Sequence, residues 1–384
     1  MAVSTDVIVV GGGVIGTAIA WRAAAAGLDV TLIDPQRDDG ASLVAAGMLA
    51  PVSESIFGEE ALLRLNLLAV RRFPTFAAEL EERTGQHIGL RQEGTLAVAY
   101  DPGDHAALLR LTEFRRSVGL DAAELDSRAV RKLEPFLTPE VRGGALFAGD
   151  WSVDNRRYLA ALRQAARGAG VRTMPGRVSR ITGEPAGAEL ADGNAISCGT
   201  VVVAAGWGSA GLAGLPGRLA EVVRPVKGQL LRLRLPAAMP PVLSHTVRAT
   251  VRGTDVYLVP RADGELVVGA TQEERGPDQT VTAGAVHDLL RDALSVLPVL
   301  SELVLAETCA GLRPGTLDNG PLVGPAGAGL LLATGHYRNG ILLSAVTADA
   351  TVAWLTGQPP APEWAPFAPG RFGAPTLAGE ARPA

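Results

Sequence analysis

The run Asp6-Val-Ile-Val-Val10 leads straight into Gly11-Gly-Gly13-Val-Ile-Gly16, and no other feature of the chain narrows its fold so far. A short β-branched run ending at glycines reads as a buried parallel strand. Thr17 to Ala26 reads as a helix, with Gly27 in the C′ position that closes it. Val30-Thr-Leu-Ile-Asp34 reads as the next strand. Strand, helix and strand make a βαβ unit of about 30 residues. Gly11, Gly13 and Gly16 fit G-x-G-x-x-G: the first permits the tight turn, the second lets a pyrophosphate approach the backbone, and the third lets helix and strand pack closely. The helix start then offers free N–H groups and the positive end of its dipole to phosphate. Asp34 stands where a carboxylate accepts hydrogen bonds from a ribose diol. Such an acid would repel the 2′-phosphate of NADP, but it does not separate NAD from FAD. The plain alternative is a glycine-rich turn with no ligand.

Composition closes off several other classes. The chain has 384 residues, 47% of them hydrophobic and 20% charged, too apolar for a disordered protein and long enough for two or three domains. A formal net charge of −5 gives no support for binding a nucleic-acid backbone or an anionic membrane surface. Two cysteines, Cys198 and Cys309, exclude a disulfide framework and a multi-cysteine zinc or iron–sulfur site. The five histidines lie far apart, without metal-ligand spacing. The uncharged runs Val7–Trp21 and Asn319–Tyr337 are too short or too broken to span a bilayer, and the N-terminus has no basic region before Asp6. The expectation is a soluble cytoplasmic protein.

Further along, helical periodicity covers Ala61–Arg83 with an interruption at Pro74, and Gly94–Tyr100 reads as a strand. Helices are expected near His105–Ser117, Ser127–Leu133, Asp154–Arg167, Thr282–Leu297 and Ile341–Leu355, and a buried strand at Val201–Gly206. Gln229–Leu235, Asp255–Val259 and Glu265–Val268 alternate apolar and polar, with Ala262-Asp-Gly264 as turn residues, which predicts an antiparallel meander. The expected fold class is therefore α/β: a Rossmann-like domain with a parallel sheet, built from discontinuous segments, plus an antiparallel-sheet α+β domain.

Several segments, in order, carry a resemblance. They are Gly11–Gly16 with Asp34, Ala45-Ala-Gly-Met-Leu-Ala-Pro51, Arg224-Pro-Val-Lys-Gly-Gln229, Tyr257-Leu-Val-Pro260, Leu266-Val-Val-Gly-Ala-Thr271, Ala310-Gly-Leu-Arg-Pro-Gly-Thr316 and Gly335-His-Tyr-Arg-Asn-Gly-Ile-Leu342. Together they resemble the D-amino acid oxidase-like family of FAD enzymes, and within it the glycine-oxidase branch of thiamine-thiazole biosynthesis, from about residue 5 to residue 355. The resemblance implies non-covalent FAD held at Gly11, Gly13, Val14, Ile15 and Gly16 at the pyrophosphate and at Asp34 and Pro35 at the ribose. It implies further FAD contacts from Ser42, from Ala46, Gly47 and Met48, from the Val178 backbone, and from His336, Tyr337, Arg338, Asn339, Gly340, Ile341 and Leu342 near the flavin ring. Around Ser42 the hydroxyl-rich approach to Gly47 is reduced to Ala41-Ser-Leu-Val44. Tyr257, Arg313 and Arg338 are implied to line the substrate site. The expected FAD-binding domain is residues 1–88, 145–217 and 306–364, the substrate-binding domain 89–144 and 218–305, and 365–384 a flexible tail.

What the resemblance implies for chemistry is oxidative deamination of glycine, and of small amines such as sarcosine and small D-amino acids. Hydride passes from Cα to flavin N5, and O2 is the acceptor, giving glyoxylate, ammonia and hydrogen peroxide. The implied partners are a small amino acid and O2, with no nucleic acid, no membrane and a homo-oligomeric, tetrameric state. No side chain has to take the Cα proton, so no catalytic residue is assigned beyond those that orient the substrate. Related readings are a sarcosine or D-amino acid oxidase and a quinone-linked FAD amino-acid dehydrogenase. More distant ones are an NAD-dependent dehydrogenase and an FAD-carrying scaffold without turnover.

Each candidate has a plainer reading beside it. Arg313 suits a carboxylate through its fork of donors, but can equally pair with an acid such as Asp318. Tyr257 can be a core tyrosine whose hydroxyl is satisfied by backbone. Arg338 lies at an expected helix start, where a cation opposes the dipole, and a salt bridge would also place it there. His336 reads as a backbone contact to flavin rather than a base. Cys309 takes the place of a bulky aromatic. It can be a covalent flavin anchor, but reads as a small buried residue, because no cation closer than Arg313 is expected to stabilise a thiolate.

Overall fold

The computed structural model describes residues 4–37, 40–217 and 219–373. Its contacts divide the chain into two compact units, one of 1–38, 159–225 and 313–384, the other of 39–158 and 226–312. The expected partition differs from this in placing 39–88, 145–158 and 306–312 with the FAD-binding segments and 218–225 with the substrate-binding ones.

In the first unit the opening run forms β1 (Ser4–Val10), followed by α1 (Val14–Ala25) and β2 (Val30–Asp34). Val7 to Val10 are at most 4% exposed, which is why the run is apolar on both faces. β1 pairs in parallel with β2 and with Ala195–Val203; β2 continues in parallel to Arg172–Pro175, and Ala195–Val203 to Leu330–Thr334. Antiparallel strands, Leu322–Gly327 at one edge and the pair Val178–Thr182 and Gly187–Leu190, complete the sheet. α1 packs along the helix Gly340–Leu355. Both helices are buried on nearly every side and lined with small residues, Ala18, Ala20 and Ala23 on one and Ser344, Ala345 and Ala348 on the other. This is the expected Rossmann-like architecture.

The second unit is built on the meander. Arg224–Arg234, Glu265–Gly269, Thr254–Pro260 and Thr246–Val251 are consecutive neighbours in an eight-stranded sheet, extended at one end by Thr95–Ala99, Gly143–Phe147 and Ala123–Asp126 and at the other by Val304–Gly315. Thr246–Val251 was not expected as a strand. It pairs in parallel with Thr95–Ala99, whereas the meander and the Gly143–Phe147 pairings are antiparallel. Leu231, Leu258, Leu266, Val268 and Val296 lie in its core, all 1% exposed or less.

Two expectations need correction. The helix Glu60–Thr84 runs unbroken through Pro74. Proline costs one backbone bond there, but Phe73, Phe76 and Ala77, each at most 3% exposed, anchor both sides of it. The stretch from Ala365 does not begin a loose tail. Pro362–Phe367 and Pro369–Phe372 form short 3₁₀ turns, Trp364 and Phe367 are buried, and Arg371 bonds the carbonyls of Pro321, Gly320 and Phe367. The remainder of that expected tail, 374–384, lies outside the described residues.

Candidate FAD and substrate sites

The turn after β1 is shaped by what its glycines lack. Gly11 has φ +107°, and a Cβ there would stand 2.5 Å from the Ala204 carbonyl oxygen. A Cβ on Gly16 would stand 1.9 Å from the oxygen of Gly11, so only glycine lets α1 start this close to the strand. Gly13 is the N-cap of α1, extended at φ −74° and ψ −176°, with no side-chain cap and no acid in the first turn. The positive end of the α1 dipole, at Val14 and Ile15, is electrostatically suited to an anion.

Asp34 closes the other side of the turn. Its Oδ2 accepts the Gly12 N–H at 2.6 Å and its Oδ1 the Gln36 N–H at 2.7 Å. These bonds fix the carboxylate at the end of β2 and leave further lone pairs for a ribose diol. Gly12, an unassigned position in the motif, is thereby a structural part of it. Pro35 beside the carboxylate is exposed, and Val178 begins its strand with its side chain in the core.

The other cluster in this unit precedes Gly340–Leu355. Tyr337 is held at φ +47°, unusual for an aromatic residue, and its N–H donates to the Pro314 carbonyl at 2.9 Å. Arg338 stacks its guanidinium 5.3 Å from the Tyr337 ring centre. Asn339 caps the helix without a side-chain bond, and no acid occupies the first turn, so Gly340, Ile341 and Leu342 open a second uncapped helix terminus. The His336 side chain turns inward: it is 2% exposed, its Nε2 lies 3.0 Å from the Thr347 hydroxyl, and burial pushes its pKa down to about 3. That imidazole is neutral and too weak a base to deprotonate an ammonium. Arg313 is half-buried on the strand Val304–Gly315. Asp318, its alternative partner, is engaged by Arg371 at 2.9 and 3.0 Å, a pairing the sequence did not suggest.

In the second unit, Gly47 has φ +76°, and a Cβ on it would meet the Val153 carbonyl oxygen at 2.0 Å. Met48 pairs with Ser152 in a two-strand ladder. The N–H groups of Ala46 and Gly47, both buried residues, have no hydrogen-bond partner among the described residues. Buried orphan donors of this kind call for a ligand acceptor. Tyr257 lies directly opposite Gly269, whose missing side chain leaves room for the ring. Cys309 packs with Val44, Ala46, Met48 and Tyr257. The expectation about its surroundings is corrected: burial pushes its thiol pKa up and Glu307 adds to this, while Arg232 and Arg156, both missed in sequence, pull the other way without prevailing.

A parallel sheet, a glycine turn opening a helix and an acid at the end of the second strand define a dinucleotide-binding domain. Residues 6–354 match the family described as FAD dependent oxidoreductase, and the chain belongs to that family. It is 35% identical over 368 residues to the glycine oxidase of Geobacillus kaustophilus (strain HTA426), covering 94% of this chain and 96% of that one. It is 34% identical over 378 residues to the bifunctional protein ThiO/ThiG of Synechocystis sp., covering 97% of this chain and 55% of that protein. The chain thus spans about half the length of the bifunctional relatives it matches. The crystal structure of glycine oxidase from Geobacillus kaustophilus superposes with a TM-score of 0.87 at 33% identity, covering 96% of this chain and 99% of that one. The protein is an FAD-dependent enzyme. Within the first unit the glycine turn and the Asp34 carboxylate suit that cofactor. Within the second, considered by itself, the N–H groups of Ala46 and Gly47 call for an acceptor. Among the described residues, no helix is long and apolar enough to cross a membrane.

Proposed function

We propose that the enzyme deaminates glycine oxidatively, with sarcosine and small D-amino acids as further substrates, and that it serves the thiazole branch of thiamine supply. The balance is glycine plus O2 plus water giving glyoxylate, ammonia and hydrogen peroxide. FAD, when bound, would supply the acceptor for the substrate's Cα hydride and the route by which the electron pair reaches O2. The chain's own residues hold and orient the substrate. Arg313 offers its carboxylate two parallel charge-assisted hydrogen bonds, and Tyr257 and Arg338 add contacts. The neutral His336 imidazole takes no proton, in keeping with a reaction that needs orientation rather than a base. The protonated Cys309 thiol supports non-covalent FAD.

The observation that carries this reading is the similarity to the Geobacillus kaustophilus glycine oxidase along almost the whole of both chains. The test is a peroxide assay against glycine, sarcosine, D-alanine and D-proline. Turnover of glycine is expected, and Arg313→Ala should lose upward of about a hundredfold in kcat/KM while keeping FAD. Tyr257→Phe should lose about tenfold, as one neutral hydrogen bond disappears. Flavin reduction by glycine without peroxide would move the protein to the quinone-linked dehydrogenases. No turnover of glycine at all would end the reading.

A further inference from the structure

The segment Ser42–Gly47 is held by its carbonyl groups. Asn155, fully buried, donates from Nδ2 to the carbonyls of Ser42 at 2.8 Å and Leu43 at 3.0 Å. Its Oδ1 accepts from Arg232 and from Arg261, each at 3.4 Å. Arg232, 1% exposed, pairs with Glu265 at 2.7 Å and turns its other Nη to the carbonyls of Leu43 at 3.3 Å and Ala45 at 3.5 Å. Arg261, 6% exposed, donates to the Val153 carbonyl at 2.7 Å and to the Ala46 carbonyl. Arg156, itself paired with Glu307, reaches Leu43 from its Nε at 3.2 Å.

Such a cluster is a costly way to fix a loop. Arg261 has no carboxylate among its hydrogen-bond partners, and burial pulls its pKa down to about 10. The Nε atoms of both Arg232 and Arg261 are buried without a partner. What the cost secures follows from the geometry of the peptide. In a trans peptide the C=O of one residue and the N–H of the next point in opposite directions. Drawing the Ala45 and Ala46 carbonyls onto Arg232 and Arg261 therefore turns the N–H groups of Ala46 and Gly47 to the other side. Those are the two orphan donors.

We propose that Arg261, Arg232 and Asn155 are positioning residues for the cofactor: they hold the carbonyl edge of Ala45–Gly47 so that its N–H edge is presented to acceptor atoms of the flavin. The inference rests on the reading that Ser42–Met48 touches FAD. None of the three residues needs to touch the cofactor itself.

The test measures the FAD dissociation constant of the apoprotein together with the visible absorption and circular dichroism of the bound flavin, beside Gly47→Ala as a direct distortion of the segment. Arg261→Lys keeps the charge but cannot reproduce the fork. It should weaken FAD by about tenfold, one well-placed hydrogen bond, and shift the flavin bands. Gly47→Ala should weaken FAD at least as much. If Gly47→Ala weakens FAD while Arg261→Lys leaves both affinity and spectrum as in the wild type, the positioning role is overturned and the segment's contact stands. If neither variant changes FAD, the contact itself is wrong and the proposal falls with it. Weakening by Arg261→Lys alone also overturns it, because the loss then does not travel through the segment. Should Arg261→Lys fail to fold, Asn155→Asp is read in the same way. It keeps a partner for both guanidiniums but sets a carboxylate against the Ser42 and Leu43 carbonyls, and wild-type affinity and spectrum there would overturn the proposal.

Discussion

The turn Gly11–Gly16 and the segment Ser42–Gly47 both present backbone N–H groups, and they reach that state by opposite means. The first removes side chains until backbone can lie against backbone, at a distance no Cβ would allow. The second brings in Asn155 and buried arginines, which fasten the carbonyls of Ser42, Leu43, Ala45 and Ala46. A glycine turn depends on space, so a single methyl group destroys it. A carbonyl clamp depends on several donors of moderate strength, so it should weaken by degrees.

The largest effect should therefore come from Gly16→Ala. The new methyl carbon would be 1.9 Å from the Gly11 oxygen, and neither strand nor helix can yield to it cheaply. A loss of about 3 kcal/mol, at the upper end for overpacking, is expected, with little FAD in the purified protein. Wild-type FAD content and an unchanged Tm would show that the turn is not set by contact distance.

Arg232→Met comes next. It fills similar space but leaves the Glu265 carboxylate, 12% exposed, without its 2.7 Å partner and the Ala45 carbonyl without its donor, while Leu43 keeps Asn155 and Arg156. Breaking a buried pair from one side costs about 3–5 kcal/mol, and Arg234 at 3.8 Å from Glu265 should keep the loss below that range, at about 2 kcal/mol. Urea denaturation measures it. A loss matching that of Gly16→Ala would mean the clamp fails as abruptly as the turn.

The two units also hold buried ionisable groups that should answer pH in opposite senses. His336 is neutral in the fold, with its pKa lowered from 6.5 to about 3 by burial. The unfolded chain binds that proton first, so its contribution is present above pH 6.5 and is lost as pH falls below it, by about 2 kcal/mol between pH 7 and pH 5. Asp150 has its pKa raised from 3.8 to about 6, chiefly by burial, although it accepts the N–H groups of Val52 and Ser53 at 2.8 and 3.0 Å. Here the folded chain holds the proton longer. Its contribution is present at low pH and lost as pH rises from 3.8 through about 6, so stability gains about 1 kcal/mol between pH 7 and pH 5. In thermal unfolding over this range, His336→Gln should lose less stability on acidification than the wild type, and Asp150→Asn should lose more. Slopes that both move the same way would refute the assignment.

The same contrast explains how much could be read from the sequence. The glycine turn was legible because its parts, Val10, Gly11, Gly16 and Asp34, lie within one βαβ unit and obey local rules. The clamp was not, because Asn155, Arg232 and Arg261 stand 112 to 215 residues from the carbonyls they hold, and an arginine in a strand carries no sign of its acceptor. Thr246–Val251 escaped notice for a related reason. Its Thr and Arg positions look like loop until Thr95–Ala99 pairs beside it. Asp318 was the nearest acid to Arg313 in the chain, yet Arg371, 53 residues on, takes it. Local geometry is written in adjacent residues, whereas charge pairing is settled by the sheet that brings distant ones together.

The smallest effect is expected at Cys309, and it sharpens the account of the clamp. The thiol packs against Val44 and Ala46 and lies within the influence of Arg232 and Arg156, so a thiolate there would compete with the carbonyls for the same guanidiniums. Burial and Glu307 keep the proton on sulfur. A neutral thiol contributes packing alone, and Cys309→Ser, which swaps sulfur for a smaller hydroxyl, should cost about 1 kcal/mol or less. FAD should remain in the supernatant after acid precipitation of the wild type and of the variant alike. Flavin that precipitates with the wild type and is released in Cys309→Ser would show a covalent bond to sulfur. That would make sulfur, rather than the fastened backbone, the principal hold of this region on its cofactor.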